Sequence, residues 1–185
     1  KLTSIGNYAF ERNHNLKKIV LPDSVSVIGA SVFRECTHLE EVVLPAALKE
    51  LSTGAFGDCP NLKTFVMQEG LTEIGVNALA ASETERNNAL TEIVIPATVT
   101  TIGGYAFSYL SALETVTFAG DSQLTTIGVY AFRYCISLQG ITLPATLTTF
   151  QTNNDFTYVD EASVSVSVSY AFEECASLKS VDMSA

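Results

Sequence analysis

The chain of 185 residues is poor in histidine and in basic residues. With only 2 His, it has little material for a Ser-His-Asp arrangement, and we expect no enzymatic activity. Ten Lys and Arg stand against 20 Asp and Glu, which gives a net charge of -10. Because phosphate neutralisation needs clustered Lys and Arg, we do not expect a nucleic-acid partner. Nucleotide-binding loops and zinc-protease motifs are also missing, so the sequence predicts no cofactor and no metal site.

Long apolar runs and targeting features are missing as well. The sequence has no run of about 18 apolar residues, so it predicts no membrane-spanning segment. Its first residues do not combine a charged segment with an apolar stretch, so no signal peptide is predicted in the given sequence. Apolar residues nevertheless make up 47% of the chain and charged residues 16%, a composition that can form a packed core.

The sequence does contain an internal repeat. Aligning the Ala-Phe dipeptides and their equivalents makes one position per repeat an anchor, and the first three intervals between anchors are equal. The anchors are Phe10, Phe33, Phe56, Leu79, Phe107, Phe132 and Phe172. The intervals that end at Phe107, Phe132 and Phe172 are longer, which predicts insertions around 81–88, at 119–123 and at 151–170.

Each repeat opens with a segment such as LKKIVLP (16–22), in which Ile19 and Leu21 alternate with polar or outward positions. This alternation predicts a short half-buried strand, and the following Pro22 ends it because proline has no N–H to donate. Stacked coils would pair these strands in parallel and bury one continuous apolar column.

We therefore predict a leucine-rich repeat solenoid of about seven coils, with ~23 residues per coil. A parallel sheet forms its concave side, and short helical or irregular turns form its convex side. Residues 1–185 are expected to be a single domain, read as a fragment of a longer chain. The 151–170 insertion lies within the last repeat, where the alternating SVSVSVS stretch predicts an added strand in a β-hairpin-like segment.

The pattern LxxIxLPxxLxxIGxxAFxxCxxL, seen in LQGITLP (138–144) and in residues 124–138, resembles BspA-like leucine-rich repeats. The resemblance covers essentially the whole chain except 151–170. It implies a cell-surface or secreted protein that adheres to host matrix proteins or to other microbes. A repeat motif specifies a scaffold rather than a function, so a structural spacer or an intracellular scaffold without a ligand is the alternative.

The candidate binding residues point outward from the predicted strands, between the core positions. They form a valine row that continues as threonine, flanked by charged residues, which is typical of a protein-binding patch. The competing explanation is that valine and threonine simply suit strands. The candidates are Lys18, Val20, Glu41, Val43, Thr64, Val66, Glu92, Val94, Thr115, Thr117 and Thr142. We expect a protein ligand, with a host extracellular-matrix protein as one possibility, and a monomeric chain.

Two further residue types recur in the repeat. Cysteine occupies the third position after the anchor at Cys36, Cys59, Cys135 and Cys175, which predicts buried free thiols, with a disulfide or a zinc site as alternatives. Tyrosine precedes the Ala-Phe pair at Tyr8, Tyr105, Tyr130 and Tyr170. These tyrosines are a second candidate surface, against partial burial along the turns, and the 151–170 insertion is a third.

Overall fold

A computed structural model describes residues 1–152, 155–156 and 170–183. Its strands fall into two groups according to their position in the coil. The first sheet contains β2 (Lys18–Val20), β4 (Glu41–Val43), β6 (Thr64–Val66), β8 (Glu92–Ile95), β10 (Thr115–Phe118), β12 (Gly140–Leu143) and β15 (Ser180–Met183). The second contains β1 (Ser4–Ile5), β3 (Val27–Ile28), β5 (Glu50–Leu51), β7 (Glu73–Ile74), β9 (Thr101–Ile102), β11 (Thr126–Ile127), β13 (Thr149–Thr152) and β14 (Asp155–Phe156).

The first sheet confirms the predicted solenoid, because each repeat contributes one strand to it and the strands pair in parallel. In the β2-β4-β6 block the register aligns Lys18 with Glu41 and Glu41 with Thr64. Strand β8 pairs with β10, and β12 pairs with β15. Equivalent residues of paired coils therefore stand side by side.

The second sheet was not predicted; turns were expected in this part of the coil. Strands β5, β7, β9, β11 and β13 form one continuous parallel sheet, and β1 pairs with β3. Most of these strands are two residues long, too short for an alternating pattern to be recognised in the sequence. Threonine hydroxyls reinforce the stacking just before the strands. Each donates to a backbone carbonyl of the preceding coil: Thr72 to Lys49, Thr100 to Thr72, Thr125 to Thr100 and Thr148 to Thr125.

Between β3 and β5 a side chain replaces one backbone hydrogen bond of this sheet. The Gly75 N–H donates to Leu51 O at 2.7 Å, whereas at the equivalent position Ser52 donates its hydroxyl to Ile28 O at 2.7 Å. Glycine suits this position because the neighbouring coil approaches closely. A Cβ added to Gly128 would lie 2.3 Å from the Gly104 nitrogen.

The anchor residues form the predicted core column. Phe33 stacks on Phe10 and Phe56 with ring centroids 5.1 and 5.0 Å away, and the Phe132 centroid lies 5.2 Å from those of both Phe107 and Phe172. Phe33, Phe107 and Phe132 are fully buried. Leu79 occupies the anchor position between the two stacks, so the aromatic column is interrupted there.

The anchors lie in turns rather than in regular secondary structure, as predicted for the outer side of the coil. The anchor N–H donates to the next coil, as in the bonds from Phe10 to Val32 O and from Phe33 to Ala55 O, both 2.8 Å. Residues 170–171 are helical. In the last repeat β13 pairs antiparallel with β14, which starts a hairpin, while the strand predicted over 164–168 lies outside the described residues.

Replacing Phe56 with alanine is expected to lower the free energy of unfolding by roughly 3–5 kcal/mol, since the buried ring leaves a cavity. Phe56 is 1% exposed, stacks on Phe33 and contacts Phe65 edge-on. The measurement is urea unfolding. Phe10→Ala is the matched control, because Phe10 is 37% exposed in the same column and should cost clearly less. Equal losses in the two variants would contradict this assignment of the core.

Candidate functional site

The predicted binding residues lie on the outward face of the first sheet. Alternation along each strand places them there: in β6, Phe65 is buried while Thr64 and Val66 are exposed. Glu41 and Val43 are half-buried. The other candidates are exposed: Lys18, Val20, Thr64, Val66, Glu92, Val94, Thr115, Thr117 and Thr142. The structure thus presents all of them on one face.

The pairing register between the strands aligns these residues in rows across the sheet. Val20, Val43 and Val66 stand side by side across β2, β4 and β6, and Val94 stands beside Thr117 across β8 and β10. Val20 is 56% exposed, Val66 38% and Val94 54%, so the row presents apolar surface to solvent.

Charged side chains flank the valine row. The ammonium group of Lys18 lies 2.7 Å from a Glu41 carboxylate oxygen, and that of Lys63 lies 2.8 Å from a carboxylate oxygen of Glu40. The Lys63 contact holds the pKa of the Glu40 carboxyl below its ordinary value. Both pairs are exposed to solvent, which screens their charges, so they add little to stability.

The first sheet is interrupted twice, and each interruption opens a groove on its face. Strands β6 and β8 are not hydrogen-bonded to each other, and neither are β10 and β12. These breaks fall where the repeat is longer than in the first coils: the inserted residues 81–88 lie between β6 and β8, and residues 119–123 lie between β10 and β12. The longest interval, from Phe132 to Phe172, leaves β12 and β15 paired, since its insertion is separated from β15 by the anchor turn.

The two grooves differ in size and chemistry. The groove between β6 and β8 has a volume of about 180 Å³ and is lined by residues that include Val66, Met67 and Val94. The groove between β10 and β12 is larger, about 1030 Å³, and polar as well as apolar side chains line it. Among the polar ones are Asp121, Ser122, Gln123 and Ser180, which the sequence reading did not select. The irregular lengths of the repeat intervals were the feature of the sequence that could have pointed to this groove.

The four cysteines are free thiols, and all four make the same kind of hydrogen bond. Each thiol donates to the carbonyl oxygen of an anchor phenylalanine in the preceding coil: Cys36 to Phe10, Cys59 to Phe33, Cys135 to Phe107 and Cys175 to Phe132. The first three are buried and Cys175 is half-buried, which matches the predicted packing role. Burial raises the pKa of every one of these thiols, that of Cys175 to about 12. Such thiols are poor nucleophiles and poor metal ligands near neutral pH.

The tyrosines that precede the Ala-Phe pair, the second candidate surface, do not all lie together. Tyr105 and Tyr130 are half-buried neighbours, whereas Tyr8 is 57% exposed and lies in the first coil. Most of the 151–170 insertion lies outside the described residues, so its role stays a prediction. Within the part of the chain that the structure describes, no helix is long and apolar enough to cross a bilayer.

Comparison with known proteins agrees with the repeat architecture. The family model for the BspA type leucine rich repeat region matches residues 1–86 and 83–185, with 6 copies of the repeat. The chain belongs to this family. It is thus a BspA-type leucine-rich repeat scaffold, as the resemblance of its repeat pattern implied. A search of curated proteins gave no match.

Solved structures of leucine-rich repeat proteins align over nearly the whole chain. A leucine-rich repeat protein from Bacteroides ovatus aligns over 99% of this chain with TM-score 0.75 and 26% identity. A leucine rich cell surface protein from Faecalibacterium prausnitzii aligns over 97% with TM-score 0.73 and 28% identity. The Treponema pallidum leucine rich repeat protein shares the fold, with TM-score 0.55, 21% identity, and 98% of this chain and 63% of that chain covered. The alignments span 41% and 42% of the first two proteins.

The raised thiol pKa values in this BspA-type scaffold predict a loss of stability at alkaline pH. Below pH 9.0, the ordinary pKa of the thiol, Cys175 is protonated in both the folded and the unfolded chain. Its contribution to the free energy of unfolding is therefore fully present there. As pH rises from 9.0 to about 12, only the unfolded chain releases the proton, which favours unfolding. The expected decline is at most about 1.4 kcal/mol per pH unit from this group.

Urea unfolding across this pH range, compared between the native chain and Cys175→Ser, isolates the effect from the titration of lysine and tyrosine. The variant should decline less steeply with pH. Identical slopes would show that Cys175 keeps an ordinary pKa in the folded chain.

Proposed function

We propose that this domain is a protein-interaction scaffold whose partner binds the outward face of the first sheet. The observation that carries the proposal is the row of Val20, Val43, Val66 and Val94, which is solvent-facing and flanked by charged residues. An apolar stripe with a polar rim is the composition of a protein interface. The finer proposal is a cell-surface or secreted adhesin-like domain that binds a host or microbial protein. The family and the name of the Faecalibacterium relative support that location.

Strand propensity alone does not account for the valine row. The second sheet has the same parallel pairing, yet its outward position holds a valine in β3, Val27, and in β5, β7, β9 and β11 it holds Glu50, Glu73, Thr101 and Thr126. Strand propensity would favour valine equally in both sheets, yet the second sheet carries it outward in one of these five strands. The difference favours a role for the first face that requires apolar surface.

Binding to this face would use a rigid, preformed surface. Backbone hydrogen bonds between coils hold the rows in place before a partner arrives, so little conformational entropy is lost on association. The net charge of -10 favours encounter with a partner that presents basic groups. The groove between β6 and β8 interrupts the valine row between Val66 and Val94, and it offers a place for an apolar side chain of the partner.

The test is binding of the domain to immobilised fibronectin, laminin and collagen, at physiological and at high salt. Replacing Val66 and Val94 together with aspartate should abolish saturable binding, because two charges then interrupt the apolar row. Both valines are exposed, so folding should be unaffected. Val27→Asp is the matched control, since Val27 is 57% exposed but lies on the second sheet.

Retention of full affinity in the double variant would move the site away from the first sheet. Absence of saturable binding to every matrix protein would contradict the adhesin assignment and would favour the spacer function.

A further inference from the structure

Most anchor turns contain two residues in the left-handed backbone conformation, one on each side of the Ala-Phe pair. Glycine and asparagine adopt this conformation at least cost, and Gly54 and Asn77 occupy the first of these positions in the third and fourth coils. In the next two coils both positions hold tyrosine: Tyr105, Tyr109, Tyr130 and Tyr134, with φ between 57° and 60°. The same conformation recurs in other anchor turns, for example at Arg12, Glu35 and Asp58, so it belongs to the repeat, and these two coils differ from the others in the side chains they carry there.

The four tyrosines form an ordered cluster with two arginines. The rings of Tyr109 and Tyr134 stack with centroids 4.7 Å apart, and those of Tyr105 and Tyr130 lie 5.1 Å apart. The Arg86 guanidinium lies 5.7 Å from the centroids of both Tyr109 and Tyr134. The Arg133 guanidinium lies 5.1 Å from the Tyr130 centroid and 5.0 Å from that of Tyr134. We call these six residues the tyrosine–arginine patch; all six are half-buried and reach solvent.

The two arginines differ in charge balance. Arg133 forms an ion pair with Glu173. Arg86 donates one hydrogen bond, 3.2 Å long, to the carbonyl oxygen of Glu83, and among the described residues no carboxylate lies within ion-pair distance of it. In a chain with net charge -10, an unneutralised guanidinium held against two aromatic rings is a local site for an anion.

We propose that the tyrosine–arginine patch binds an acidic oligosaccharide, with a sugar carboxylate on Arg86 and the sugar rings against Tyr109 and Tyr134. Tyrosine rings offer apolar surface to the C–H groups of a sugar, and their hydroxyls can exchange hydrogen bonds with sugar hydroxyls. A protein partner typically needs about 800 Å² on each side, more than six half-buried side chains offer. The site is independent of the first-sheet face and of the protein partner proposed for it.

The absence of tryptophan supplies a direct readout. The chain has 7 tyrosines and no tryptophan, so its intrinsic fluorescence comes from tyrosine, and four of these residues lie in the patch. A short oligogalacturonate should change this emission saturably. The same oligosaccharide with its carboxylates methyl-esterified, and a hexaglutamate peptide, are the two chemical controls.

Binding measured by calorimetry should weaken at least about tenfold in Arg86→Gln, as expected for loss of a charge-assisted hydrogen bond. Binding of the oligogalacturonate should be lost altogether in the double variant Tyr109→Asn, Tyr134→Asn. Asparagine tolerates the left-handed conformation, as Asn77 does in this chain, so this variant should fold. Tyr8→Asn is the matched control, because Tyr8 has φ 58° beside the Ala-Phe pair of the first coil, outside the patch.

Carboxylate-dependent binding that is lost in the patch variants and kept in Tyr8→Asn is the expected result. Equal affinity for the esterified sugar or for hexaglutamate would overturn the proposal, as would the absence of saturable binding to oligogalacturonate. Because the first-sheet variants leave the patch intact, they should bind the oligosaccharide normally. Failure of one site therefore leaves the other testable.

Discussion

Parallel hydrogen bonding between successive coils is the constraint on which the rest of this structure depends. Each coil must return to the same place at the same point in its repeat, because its strands and its anchor N–H all find their partners in neighbouring coils. Once this holds, identical positions form columns. The phenylalanine stack is such a column, and the carbonyl groups of its anchors accept the cysteine thiols of the following coils.

The same constraint explains where the surface becomes irregular. The first sheet is broken, and a groove opens, between β6 and β8 and between β10 and β12, the strand pairs whose connections contain the extra residues 81–88 and 119–123. The second sheet continues across both insertions, since β7 pairs with β9 and β9 with β11. The first sheet in turn continues where the second is interrupted, between β3 and β5, because β4 pairs with both β2 and β6. Each sheet thus holds the coils together where the other is broken.

Two surfaces of different chemistry result from this arrangement. The first-sheet face presents an apolar row with charged flanks, the composition of protein interfaces. The tyrosine–arginine patch lies in the anchor turns, where aromatic rings stack at the spacing of the coils. A linear repeat allows such surfaces to be built independently, because each coil contacts only its neighbours.

The sequence by itself determined the repeat, the core anchors, the first-sheet strands and the side chains that face outward from them. These features follow from a fixed interval and from alternation along a strand, both of which are local. Only the tertiary structure decided the second sheet, because strands such as Val27–Ile28 are too short to show a period. It also decided the breaks in the first sheet and the approach of Arg86 to Tyr109 and Tyr134, since these depend on where an inserted loop returns to the stack.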